Sequence, residues 1–91
     1  MIVIVEIMPK PGILDPQGKA VNQALHQLGY NEVNEVKVGK IIRLDIDETD
    51  HETAIAKAED MAVRLLHNPN VESFRVVLPE EIDNTVEEKL Q

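Results

Sequence analysis

The sequence predicts an α+β fold of the ferredoxin-like kind, a β-α-β-β-α-β sandwich with two helices on one face of a four-stranded antiparallel sheet. Three observations carry that expectation. Short β-branched runs alternate with two longer amphipathic ones, the order of the runs is β-α-β-β-α-β, and all of them fall within residues 1–79. Two right-handed crossovers joined by a hairpin place both helices on the same side of the sheet. A chain of 91 residues has room for one such core and no second.

The run from Ile2 to Ile7 is β-branched almost throughout and apolar on both alternating faces, which suits a central strand. Pro9, Pro11 and Gly12 stop it. Asp15-Pro16 starts a helix over 16–28: the carboxylate caps free N–H groups, and proline occupies the first helical position. Val21, Ala24, Leu25 and Leu28 form its apolar stripe, and Gly29 ends it. Val33, Val36 and Val38 read as a second strand, turned through 37–40 into a third in which Ile42, Leu44 and Ile46 alternate with Ile41, Arg43 and Asp45. Thr49 with Glu52 matches a capping box for a second helix, with Ile55, Ala58, Ala62 and Leu65 as its stripe. Asn68-Pro69-Asn70 closes it. Phe74, Val76 and Leu78 then alternate with Ser73, Arg75 and Val77 in a last strand. The first and third strands are expected at the centre of the sheet. Residues 80–91 read as an acidic tail outside the domain, with five acids against Lys89 alone.

Two helices cover one face only, yet the first strand is apolar on both. Either Val3, Val5 and Ile7 or Ile2, Ile4 and Met8 must look away from the helices, with Ile41 and Val77 beside them. Leaving such side chains wet forgoes about 2 kcal/mol each, so a second copy, a larger partner or the folded-back tail is expected to cover them.

Composition excludes much chemistry. There is no cysteine, so disulfides, thiolate metal sites and a cysteine nucleophile are out. Seventeen acids against nine bases give a net charge of -8, which repels nucleic acid and anionic membranes. Tyr30 and Phe74 are the two aromatics, too few for a base-stacking surface. Met1 to Met8 is too short for a membrane span and lacks a basic leader, so a cytoplasmic address is expected. His26, His51 and His67 share no i, i+3 or i, i+4 spacing and read as surface histidines; Ile55 stands where a zincin helix starting at His51 needs its second histidine. An EF-hand loop beginning at Asp45 fails at Asp50 and Ala56, where glycine and glutamate belong. Ser73 has no histidine at a catalytic spacing. The loop 9–18 lacks the Gly-Lys-Ser/Thr ending of a P-loop, and its prolines remove donors. No catalytic, cofactor-binding or metal-binding residue is therefore expected in this chain, although Lys10, Lys19 and Lys40 suit an acidic partner surface.

Four stretches resemble one family. Residues 10–21, Lys-Pro-Gly-Ile-Leu-Asp-Pro-Gln-Gly-Lys-Ala-Val, look like the signature of PurS, the small subunit of phosphoribosylformylglycinamidine synthase. Leu28-Gly29-Tyr30, Val36-Lys37-Val38-Gly39-Lys40 and the stretch from Leu65 to Glu72 fit it in order. The resemblance implies a non-catalytic subunit of an ATP-dependent C–N ligase of purine biosynthesis, with glutamine as amide donor. It implies a homodimer or tetramer that bridges the glutaminase and the large synthetase, with ATP and magnesium on the synthetase and no cofactor here. The residues it singles out are Pro11, Gly12, Asp15, Pro16, Gln17 and Gly18 in the first loop, Gly39 and Lys40 at the bend, and Asn68 and Pro69 at the helix end. The competing readings of this fold are an ACT-like amino-acid sensor, whose glycine-rich loop is poorly matched by residues 9–12, and an acylphosphatase-like enzyme, whose loop arginine is missing.

Overall fold

The computed structural model describes residues 1–81. Strand β1 (Ile2–Pro9) is followed by α1 (Pro16–Gln27), β2 (Lys40–Asp45) and α2 (His51–Met61). A π-helical turn, Ala62–Leu66, extends α2, and β3 (Glu72–Val77) runs into a 3₁₀ turn at Pro79–Glu81. The sheet order is β2-β1-β3, both pairings antiparallel, so β1 lies in the middle as its doubly apolar sequence requires. Met1 and Ile46 exchange both backbone bonds, at 2.7 and 2.8 Å. Antiparallel ladders alternate, so Val3, Val5 and Ile7 bond to β2 and the intervening residues bond to β3.

Helix α2 lies on the face of Val3, Val5 and Ile7, all fully buried. One end of the core gathers Val3, Ile46, Ala54, Ala58 and Leu78, and the other gathers Val5, Ile7 and Ala62. Small residues on α2 let its backbone approach the β-branched strand.

Four expectations change. Among the described residues the sheet has three strands, not four: residues 33–39 lie outside the ladder, and the expected hairpin through 37–40 is absent. The Val38 N–H is taken instead by the Asp15 carboxylate. The strand expected to share the centre, β2, is consequently an edge. The second change concerns the start of α2, where Asp50 is the cap in place of Thr49; its carboxylate accepts the Thr53 N–H at 3.0 Å and the Thr53 hydroxyl as well. Third, the π turn changes the phase of the stripe. The His67 N–H reaches the Ala62 carbonyl, five residues back, at 3.2 Å. That wider turn brings Leu66 toward the core and leaves Leu65 81% exposed. Finally, α1 ends at Gln27, one residue before the predicted bound, with Leu28 as its C-cap, and buries only Gly18; Val21 and Leu28 of its apolar stripe stay exposed.

The opposite sheet face carries Ile2, Ile4 and Met8 with Ile41 and Val77, the second of the two alternatives. Ile4 and Val77 are buried there, whereas Met8 and Ile41 are exposed. Glu6 and Arg75, paired in register, bond across this face at 2.8 Å. The described residues span 48 × 33 × 14 Å, and their radius of gyration of 15.8 Å exceeds the roughly 12 Å of a compact chain of that length. Of the expected tail, Glu80 and Glu81 belong to the 3₁₀ turn against β1, and 82–91 lie outside the described residues.

Candidate functional site

The residues singled out by the sequence come together at one end of the sheet, where β1 ends and both β2 and β3 begin. Pro11 and Gly12 turn the chain out of β1; Gly12 needs its freedom, with φ at +80°. Asp15 then fastens two segments. Its Oδ1 accepts the Gly18 N–H at 3.1 Å, and its Oδ2 accepts the Val38 N–H at 2.9 Å. These bonds, Val38 first and Gly18 second, then Gln17 N–H and the Lys37 charge, hold the carboxyl below its ordinary value of 3.8. Pro16 fills the first helical position, and the Gln17 side chain is exposed. Gly18 sits so close to residues 36–38 that a Cβ would strike the Val36 carbonyl and the Asp15 carboxylate.

Gly39 continues this close packing, since a Cβ there would meet the Ile7 carbonyl and the Met8 sulfur. Lys40 follows, its Nζ 3.7 Å from Glu72 Oε2. Glu72 Oε1 accepts the Asn68 N–H at 2.8 Å, and the Asn68 carbonyl accepts the Val71 and Glu72 N–H groups. Asn68 Oδ1 accepts the Asn70 N–H at 3.1 Å, and the Pro69 carbonyl accepts from Lys10 Nζ at 2.5 Å. Lys10 thereby ties the first loop to the end of α2.

Sequence reasoning missed Glu72, Val38 and Lys10 as organisers of this end, and placed His67 at the surface. His67 is half-buried: its Nδ1 lies 2.6 Å from the Ala62 carbonyl, and its ring meets Phe74 edge-on at 4.7 Å. For Glu72 a signal existed, because it stands four residues after Asn68, at the close of the stretch that begins at Leu65.

A cleft of about 200 Å³ runs between α1 and residues 34–37, lined by Ile13, Asp15, Lys19, Asn22, Asn34 and Lys37 among others. Asn22 Oδ1 is buried in the protein with no partner among the described residues. Lys10 and Lys19 make no ion pair among the described residues, so this end offers free positive charge on an acidic chain. Among the described residues no group of three or more His, Asp or Glu side chains is placed to hold a metal ion, and no helix is long and apolar enough to cross a membrane. Asp15, Glu72, Asn68 and Lys10 are engaged in bonds within this end. The arrangement fixes the shape of two loops and a helix start.

The comparisons agree on one family. The family model described as "PurS: Phosphoribosylformylglycinamidine (FGAM) synthase" matches residues 2–80. The phosphoribosylformylglycinamidine synthase subunit PurS of Bacillus subtilis is 39% identical over 71 residues, 78% of this chain and 83% of that one. The crystal structure of Methanocaldococcus jannaschii PurS superposes with a TM-score of 0.74 at 33% identity, covering 84% of this chain and 92% of that one. A chain in the structure of PurLQS from Thermotoga maritima shares the fold with a TM-score of 0.75 at 24% identity, covering 84% and 93%. With the match extending over every element from β1 to the 3₁₀ turn, the chain belongs to the PurS family.

Proposed function

We propose that this chain is a non-catalytic subunit of phosphoribosylformylglycinamidine synthase in purine biosynthesis. It bridges the glutaminase and synthetase subunits and supports ammonia transfer to formylglycinamide ribonucleotide. The observation that carries this reading is the family match over residues 2–80, which embraces the whole described fold and not a single motif. A chain of the same fold in the PurLQS structure supports the assembly role. ATP and magnesium act on the synthetase, and this chain supplies shape.

Ammonia must pass between two active sites without protonation or loss to bulk water, which demands a sealed and oriented contact between the enzymes that make and use it. The loop end suits such a contact, because Asp15, Gly18 and Gly39 hold its backbone rigidly while Gln17 and Lys40 stay exposed at its surface. The chain also associates with itself. Helix α1 leaves Leu28 74% exposed, and Ile41 on the sheet is 61% exposed, apolar surface that a second copy covers.

The test mixes Gln17→Ala and Lys40→Ala variants with both other subunits and follows glutamine-dependent turnover. Loss of assembly or of glutamine-dependent activity, with ammonia-dependent activity of the synthetase retained, supports the bridging role. Normal assembly and turnover in both variants overturns the assignment of these loops.

A further inference from the structure

Ile4 and Val77 are buried on a sheet face that no described helix covers. They are 6% and 4% exposed, although α2 lies on the opposite face and α1 packs against residues 36–38. Ile4 is in register with Val77 on one side and Arg43 on the other, so the three form one row across the sheet. Position alone does not bury such a row. Val77 and Ile41 both stand on edge strands of this face, yet Ile41 is 61% exposed. The 3₁₀ turn beside β1 has Glu80 and Glu81 exposed and offers the row little apolar cover.

We infer that residues 82–91 dock across this row as an amphipathic helix of the same chain. They follow directly on the turn beside β1. Ile82, Val86 and Leu90 recur every fourth residue, which makes one apolar stripe of a helix. Ten helical residues reach about 15 Å, and three strands set about 4.8 Å apart span about 10 Å. The stripe thus covers Val77 and Ile4 and arrives over β2, where Arg43 makes no ion pair among the described residues. Glu87, beside Val86 at the flank of the stripe, supplies the opposite charge. The other charges of this face are engaged, Glu6 with Arg75 and Asp45 with the Met1 ammonium. The family match stops at residue 80, so this cover is an addition to the shared fold. It closes the face near the turn and leaves Met8 and Ile41 open at the loop end.

The chain has no cysteine of its own, so Gln91→Cys carries a nitroxide at one known place. The nitroxide quenches the Ile4 and Val77 methyl signals of its own chain more strongly than those of unlabelled copies mixed with it. In Val86→Asp these methyls open to a soluble paramagnetic probe, while Val3 on the other face stays shielded. In urea unfolding Arg43→Glu lowers the folded-to-unfolded ratio about threefold, and adding Glu87→Arg restores it. Absence of quenching overturns the docking. Quenching as strong in the mixed copies overturns it too and gives the face to a second copy. So does a folded Val86→Asp in which Ile4 and Val77 stay shielded. Methyls shielded only once the glutaminase and synthetase are added overturn it and make the face a partner surface. The nitroxide measurement uses an otherwise unsubstituted chain, so it decides even where Val86→Asp fails to fold.

Discussion

Asp15 Oδ2 accepts the Val38 N–H at 2.9 Å, a bond spanning 23 residues, while Oδ1 caps α1 through Gly18. One carboxylate thus begins a helix and withholds a donor from the sheet. Asp15→Ala is expected to destabilise the protein more than Asp50→Ala, which removes only local bonds to Thr53. Thermal melts give the order of the two, and amide exchange at Val38 rises sharply in the first variant only.

Acid should weaken the fold through the same groups. Asp15, Glu48 and Asp50 are all held below their ordinary values, by the Val38 N–H, by Lys57 and by Thr53 respectively. Groups depressed in the folded state contribute stability that is complete above the unfolded values of 3.8 and 4.5 and is lost as pH falls through the lower folded ones. Urea midpoints should hold steady from neutrality to about pH 5 and decline below about pH 4. Asp15→Asn should flatten part of that decline.

Gly18→Ala and Gly39→Ala each press a methyl group against a carbonyl that cannot swing away. Each is expected to cost about 1–3 kcal/mol in urea unfolding. Gly12→Ala meets open space but a φ of +80°, and should cost about 1 kcal/mol. If Gly39→Ala folds, its β2 should start later, visible as lost exchange protection at the β1–β2 end nearest Ile7.

The π turn makes neighbouring leucines unequal. Leu66, packed against Val5, Ile7 and Ala62, should cost about 2 kcal/mol or more when cut to alanine, whereas Leu65→Ala should stay within about 0.5 kcal/mol. Equal losses at the two sites would mean an ordinary α-helical phase there.

Where local pattern and tertiary contact agree, the fold is legible in the sequence. β1, α1, α2 and β3 follow from alternation, a proline after a cap and a stripe of small residues, and the fold departs little from them. Residues 33–39 mislead because Val33, Val36 and Val38 do not keep one parity, and because the deciding bond comes from Asp15, far away in the chain. Leu65 misleads because no residue type announces a π turn. The residues of the loop end are recognisable singly as caps, bends and turn formers; the spacing of Glu72 from Asn68 hints at their bond, whereas its pull on Lys40 shows only in three dimensions.

The middle position of β1 has a consequence for how the protein forms. Its first partner is reached across 45 residues, between Met1 and Ile46, and its second across 69, between Glu6 and Arg75. Closing such distant pairings is entropically slow, so the sheet is finished only when the last strand docks. Until then Val5 and Ile7 remain half covered, and folding intermediates present a greasy, unzipped flank to chaperones and to one another.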